Sequence, residues 1–521
     1  MKKLVAVFVV VLFITGLGNR LYGQKIEAQN TYEISGKAKR GTLGWVEYSN
    51  NQYLLTYVTK ATEKLLKFQT YIFDNDFKYV DMKDLELDVE QAKTKYSWFK
   101  FNGELYSVMG NYVEPNLAGT LVLKKKKITY KYDWLLLGYH KEIEILEKVK
   151  PKTDDGRKLF YYSHAEDDVT GDIYVVCGLK ATSADIKADN TNQFMQNKNF
   201  VVMKFNKDLE LVKEIPVNFD YLYWPCITRV ISNDAEDQNA PSISKFAVIF
   251  RPYNAGKKYT DPNMNNLRYV CVDNKMNLID ELTISGKVNE WTIDELIHDN
   301  SNGDVYLFGP AKSKEFTGVQ LIKIAKNKVE YISTTNMDDF EAKLKTPPTQ
   351  KKSPAYKGKK FEIANYYIAS NGDFFVSGQN FDPSKEGNKF KDVLAFHFDN
   401  KGVLKAQYGV DTKESNKYAE SAGAPQNFLV SSDGKTTYWM IRELKGIAAW
   451  NPKPLTYARL SKIDLNNAAV GDFIDIGKVE KADYYLDPKF PFLQTGGNNK
   501  LVFFGSDKSG KTIWFCRVAL D

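Results

Sequence analysis

The chain has 521 residues, 43% hydrophobic and 14% aromatic, with 32 Tyr and 31 Phe against 9 Met and 4 Cys. That is enough apolar surface for a large core, it excludes global disorder, and its aromatic balance favours strands. The formal charge of +7 falls to +4 without residues 1–23, which hold Lys2, Lys3 and Arg20, so nucleic acid is not an expected partner.

Lys2 and Lys3 precede an unbroken apolar run from Leu4 to Ile14, and Gly16, Gly18 and Gly23 follow. This predicts a secretory signal peptide over 1–23, with a cut after Gly18 as the alternative, and a mature chain of one domain, 24–521. No later stretch reaches the ~18 apolar residues that a membrane helix needs. No cysteine sits at the junction, so lipid anchoring is not expected. The chain ends on a strand with no separate sorting domain behind it, which favours a periplasmic or outer-membrane-associated protein over one released to the medium.

From residue 30 onward, short apolar runs are punctuated by Gly, Asn and Asp, the signature of strands and tight turns. A second-strand motif begins near Gln52, Glu104, Gly171, Ser244, Gly303, Gly372, Gly434 and Lys500. Each is followed by a third strand, for example NFVVMKFNKD, VQLIKIAKNK and TIWFCRVALD. Lys124–Lys127 sits in one of these and reads as a wet strand face or a blunted edge. The four cysteines (Cys177, Cys226, Cys271 and Cys516) match no disulfide or metal spacing; buried free thiols are the default, with one pair allowed.

The clearest unit spans FEIANYYIAS, a turn at Asn371-Gly372-Asp373, FFVSGQN, a gap, DVLAFHFD, a turn at Asn400-Lys401-Gly402, and VLKAQYGV. Four strands (A to D) recurring every 52 to 73 residues predict an all-β fold, a β-propeller of eight four-stranded blades, with seven as the alternative count. The last unit lacks a D strand, and Asn30–Gly36 resembles the D strands of other units. An N-terminal strand is therefore expected to close the ring. The stretch NGDFFVSGQNFDPSKEGNKFKDVLAFHFDNKGVLKAQYG resembles the exported bacterial β-propeller repeats of the SBBP type, and the leader resembles those of the Bacteroidota. The resemblance is clear over 302–410; it implies fold and export, and no catalytic residues.

Gly505–Thr512 matches the phosphate-binding P-loop letter for letter, yet a strand follows it where a helix is required, so nucleotide binding is not expected. Ser431–Trp439 and Ser506–Trp514 approach the Asp-box of sialidase-type propellers with the wrong spacing. His140, His164, His298 and His397 are scattered, and no catalytic residue, metal site or cofactor is assigned. In a propeller the A–B and C–D turns share one face. The long links 178–198, 252–266, 336–360, 380–391, 411–426 and 443–454 fall on the other. That face is expected to dock a partner through Trp224, Tyr253, Tyr259, Tyr356, Trp450, Tyr484 and Tyr485, because aromatics on a rigid scaffold are common interface anchors. The leading expectation is a non-enzymatic envelope scaffold that binds a protein, such as an accessory or plug subunit of an outer-membrane secretion machine. The alternative is a propeller that binds or cleaves glycans at the channel mouth.

Overall fold

The computed structural model describes residues 25–520 apart from 62–64, 89–105, 134–137, 154–155, 157, 168, 180–196, 233–243, 253–265, 289, 357, 359, 386, 432, 449–452, 480–481 and 496–499. The leader 1–23 therefore lies outside the described residues. Strands dominate, and three short helices (Gly36–Arg40, Met337–Ala342 and Lys417–Ser421) interrupt them among the described residues.

Among the described residues antiparallel meanders follow one another along the chain, numbered units 1 to 8. Unit 1 is Thr42–Ser49, Gln52–Ala61, Leu65–Phe73 and Tyr79–Asp88. Unit 2 has three strands among the described residues: Tyr106–Val113, Leu123–Asp133 and Gly138–Val149. Units 3 and 4 share the 22-residue strand Leu211–Ser232. Its first half pairs with Asn197–Phe205 and its second half with Ser244–Pro252. The last strand of unit 3 thus runs into the first of unit 4 without a loop. Pro216 is tolerated because that half of the strand pairs on one side only, and Pro225 because it sits at a bulge.

Unit 5 runs from Glu290–Trp291 and Glu295–His298 through Val305–Lys312 and Thr317–Ala325 to Lys328–Asn336. Unit 6 is Phe361–Ile368, Phe374–Ser384, Gly387–Phe398 and Leu404–Val410. Unit 7 begins at Gln426–Val430 and continues through Thr437–Ile447 and Pro454–Asp464. Unit 8 is composite: Phe492–Thr495, Lys500–Ser506 and Thr512–Ala519 receive Lys25–Glu33 as their outer strand, with Asn30 opposite Phe515. The strand expected at Asn30–Gly36 therefore starts earlier and stops at Glu33, because Ser35 caps the helix that follows. The Arg517 guanidinium holds the Glu27 carboxylate at 3.0 Å across this junction.

Alternating side chains of units 3 to 8 enter two different cores. Val175 and Met203 face unit 2, whereas Val176 and Val202 face unit 4. Further clusters join units 4 to 5, 5 to 6, 6 to 7 and 7 to 8. A last one packs Val502, Phe504 and Phe515 of unit 8 against Tyr53, Tyr71 and Phe73 of unit 1. The cysteines are all free, and burial pushes Cys271 up to about 11.

Two details explain the repeated motif. The glycine closing the second strand abuts first-strand backbone: a Cβ would lie 2.1 Å from the Glu362 carbonyl at Gly378 and 2.0 Å from the Tyr485 carbonyl at Gly505. The C–D turns are set by an Asp or Asn that accepts two backbone amides; Asp273 takes those of Lys275 and Asn277 at 2.9 and 2.7 Å. The fourth turn residue is left-handed: Phe77, Leu209 and Met276 at φ near +60°, Gly402 at +79°. The three bulky residues are buried there, and such burial, worth about 1.5–3 kcal/mol, offsets a left-handed cost of about 1–2 kcal/mol.

Lys124–Lys127 does not blunt an edge. It lies in the middle strand of unit 2, where Lys124 and Lys126 both bind Glu114 and hold its carboxyl below the usual range.

Candidate functional site

The face carrying the B–C and D–A connections is built up in the way the strand order demands. Two of the expected loops are extensions of strands: 380–391 is a hairpin turning at Ser384 and Gly387, and in 443–454 the described residues up to Ile447 and from Pro454 extend Thr437–Ile447 and Pro454–Asp464 as a pair. The link 336–360 folds back as the helix Met337–Ala342 and a two-residue strand lying parallel to Leu404–Val410. The link 411–426 carries the helix Lys417–Ser421. Its start is pinned by Glu443, a buried carboxylate that accepts the Lys413 and Glu414 amides at 2.9 and 3.1 Å and pairs with Arg459. A charge inside the apolar run YWMIREL is the one sequence signal that could have marked it.

Two clefts open on this face on either side of unit 8. The first, of about 120 Å³, lies between units 7 and 8. Tyr457, Tyr484 and Tyr485 line it, and the pairs Lys413–Asp475 and Lys445–Asp483 border it at 2.7 and 2.6 Å. The second, of about 370 Å³, lies where units 7, 8 and 1 meet. Its floor includes Leu43, Leu55, Phe504 and Ile513, and its polar wall includes Lys39, Lys453, Ser506 and Lys508. Lys453 donates to the Ser506 hydroxyl at 2.8 Å, and burial pulls its ammonium below the ordinary lysine range despite the nearby Asp487 and Asp507. Sequence reading passed over Lys453, Ser506 and Lys508 as sites because each sat in a segment read as a link or a turn.

The predicted aromatics divide into three groups. Tyr253, Tyr259 and Trp450 lie outside the described residues. Trp224 stands opposite Arg251 where unit 3 passes into unit 4, partly exposed. Tyr484 lines the first cleft and stacks on Trp514 with centroids 6.0 Å apart. Tyr356 is used inside the protein, and Tyr485 lines the first cleft while largely buried. Tyr356 packs against Phe340, Phe361 and Phe396, its amide donating to Gln407 Oε1 at 2.7 Å, because the 336–360 link folds inward. Tyr485 is 7% exposed and packs with Ala448 and Leu455.

Two further clefts lie elsewhere. One of about 510 Å³ sits on the short-turn face between units 4 and 5, lined by Lys245, Asp280, Asp304, Lys323 and Glu330 among others. Another, of about 430 Å³, runs over the first strands of units 4, 5 and 6 and brings the Arg229–Glu295 ion pair beside His298 and Tyr366. Among the described residues no group of three or more His, Cys, Asp and Glu side chains is placed to hold a metal.

The Asp–His pair with the geometry of a catalytic dyad is in unit 6, fully enclosed. His397 Nε2 lies 2.7 Å from Asp373 Oδ2 and its Nδ1 2.8 Å from the Tyr408 hydroxyl, with Lys405 Nζ 3.2 Å from the same carboxylate oxygen. His397 is 0% exposed, so the pair reaches no substrate and serves the packing.

The P-loop-like segment is a hairpin. The Asp507 carboxylate accepts the Ser509 and Thr512 amides at 3.3 and 2.9 Å, occupying the position a phosphate would need.

No protein-family model and no curated protein matches this chain. Among solved structures it is similar to the WD40 domain of SCAP from fission yeast, at 9% identity over 94% of this chain and 98% of that one, with a TM-score of 0.28. It is also similar to a post-proline cleaving enzyme from Rickettsia typhi, at 10% identity over 90% of this chain and 58% of that one, TM-score 0.29. A member of the DUF4221 family from Bacteroides vulgatus matches at 8% identity over 70% and 92%, TM-score 0.25. Likenesses this distant leave the fold to be read from the strand pairing alone.

Proposed function

We propose that this chain is an exported eight-bladed β-propeller that acts as a binding scaffold of the cell envelope, docking a protein partner on its B–C and D–A face. Support for the blade count comes from eight successive meanders, cores between seven successive pairs of them, and the pairing of Lys25–Glu33 with Thr512–Ala519. A radial array closed in this way leaves no long inner edge to recruit foreign strands. The observation that carries the docking role is the pair of clefts flanking unit 8 on one face, with Tyr484 in the wall of the first. Clefts lined by aromatics and charges on a rigid frame are what a partner's anchor residues fill. In this reading the chain itself is an accessory or plug subunit of an outer-membrane secretion machine, and its partner is another envelope protein.

The test is affinity capture from the native envelope with Tyr484→Ala and Trp224→Ala beside Asn302→Ala on the short-turn face. Loss of the captured partner with the first two alone supports the reading; equal loss with Asn302→Ala overturns the choice of face. Deleting Lys25–Glu33 should lower the melting temperature by more than 10 °C, because unit 8 loses its outer strand and Tyr32 leaves the core shared with unit 1. Unchanged melting would sink the closure.

A second reading, glycan binding or cleavage, is favoured by the cleft that gathers Glu295, His298 and Tyr366. Glu295→Gln assayed against envelope polysaccharides decides it: an activity or affinity lost in this variant would replace the scaffold reading.

A further inference from the structure

The cleft where units 7, 8 and 1 meet combines features that a packing flaw would not bring together. Its floor is apolar, from Leu43 and Leu55 of unit 1 and Phe504 and Ile513 of unit 8. Three lysines from separate segments line it: Lys39 from the short helix, Lys453 from the unit 7 hairpin and Lys508 from the unit 8 turn. Among the described residues none of the three has a carboxylate as ion-pair partner.

Two carboxylates are near, Asp487 in the cleft wall and Asp507 in the unit 8 turn, and each is engaged by backbone amides without an ion pair to Lys453. Asp487 accepts the Lys489 and Phe490 amides, both at 2.9 Å, and Asp507 takes the amides of its own turn. The polar contact shown for the Lys453 ammonium is the neutral Ser506 hydroxyl. A partly buried ammonium with no ion pair, feeling Asp487 and Asp507 only through space, is costly, and burial outweighs their attraction and draws its proton affinity down. An anion entering the cleft would relieve that cost, while its apolar part would cover the floor. The volume, about 370 Å³, is within the range of small-molecule sites.

We propose that this cleft binds a small amphipathic acid, with its anionic head on Lys453 and Ser506, its apolar body over Leu43, Leu55 and Phe504, and Lys39 and Lys508 steering it in. Recognition is by side chains, since the amides of the P-loop-like turn are taken by Asp507. The site is independent of whether the same face docks a protein.

The test is calorimetric titration of the full-length mature protein with decanoate, decyl phosphate, decanol and inorganic phosphate. Decanoate or decyl phosphate should bind at least tenfold tighter than decanol, and inorganic phosphate should show no saturable binding. The better of the two acids identifies the head group. Lys453→Met should weaken the acid at least tenfold, and Lys453→Arg should retain most of its affinity. Should Lys453→Met fail to fold, amine acetylation of the wild-type chain read by peptide mass spectrometry replaces it: the acid should protect Lys453 and decanol should not. Equal binding of decanol, no saturable binding of either acid, or unprotected Lys453 would each overturn the proposal.

Discussion

Units 3 and 5 place a lysine where unit 6 places a histidine. The sequence pattern is shared: an Asp opens the second strand, an aromatic follows two residues later, and a base stands directly across on the third strand. Tyr174 faces Lys204, Tyr306 faces Lys323 and Phe375 faces His397. In units 3 and 5 the ammonium binds Asp172 at 2.7 Å and Asp304 at 3.0 Å, keeps some contact with water, and lies over the tyrosine ring. Burial alone would push Lys323 down; its hydrogen bonds to Glu330 and Asp304 more than offset this and hold it above the ordinary lysine range. In unit 6 the imidazole is sealed, stacked on Phe375 at 4.3 Å, and burial holds it below the ordinary histidine range. One pattern thus yields a permanently charged pair in two units and a neutral base on a buried carboxylate in the third. The difference lies in how far the site is sealed, with Tyr408 and Lys405 completing the unit 6 cluster.

The largest expected effect breaks that cluster. Asp373→Ala leaves His397 without its acceptor and Lys405 without its ion-pair partner, at about 3–5 kcal/mol, because removing one member of a buried network strands the rest. Asp304→Ala should cost only about 1 kcal/mol, since Glu330 still holds Lys323 at 2.9 Å. Urea denaturation of the two variants measures the contrast, and equal losses would mean that sealing is irrelevant.

Much of this frame was legible in the sequence. Gly372 and Gly402 marked turns, and both are left-handed as a tight hairpin requires. The N-terminal strand was recognisable as a missing outer strand because its polar and apolar residues alternate like those of other units. Local signals failed where tertiary contacts decide. Tyr356 and Tyr485 read as loop aromatics, but the 336–360 link folds back and buries the first, and a short strand paired with Lys500–Ser506 sets the second against Ala448 and Leu455. The join at Tyr223 was invisible because Asn218 and Asp220 look like loop residues even when a strand runs through them. The cleft holding Lys453 draws on positions 39, 453 and 506, and no spacing rule connects those.

Acid should separate the units next. Because the folded-state pKa of His397 lies below the unfolded value near 6.5, the unfolded chain takes the proton first as pH falls. Stability therefore drops from about pH 6.5 downward, by up to about 1.4 kcal/mol per pH unit until the folded-state pKa is reached. His164, also held below the ordinary range by burial, adds in the same direction. His397→Gln should reduce this acid slope between pH 7 and pH 5. The lysines act oppositely. Lys204 and Lys323 sit above the ordinary range, so their contribution is complete below about pH 10.4 and is lost as pH rises through their folded-state values. Lys323→Met should leave the acid slope unchanged; a changed slope would show that units 5 and 6 titrate together.

The smallest effect asks whether the contrast extends beyond the sealed centre. Asp399 in unit 6 accepts the Lys401 and Val403 amides at 2.9 and 2.8 Å, and Asp273 in unit 4 accepts the corresponding pair at 2.9 and 2.7 Å. The two caps share this pair of backbone bonds, so Asp399→Ala and Asp273→Ala should each cost about 1 kcal/mol, the usual worth of such a capping bond, with Asp273→Ala not the smaller of the two. Their turns differ at the left-handed position, Gly402 against the buried Met276, and at the next residue, where the Asn277 side chain also donates to Asp273 Oδ2 at 2.9 Å and Val403 has no such donor. Asp399 also raises the proton affinity of His397 slightly through space, so its loss should steepen nothing and shift the onset of acid unfolding only marginally. A cost well above that of Asp273→Ala in the same urea titration would show that the turn and the buried histidine form one cooperative element, and that unit 6 differs from its neighbours through its whole C–D half.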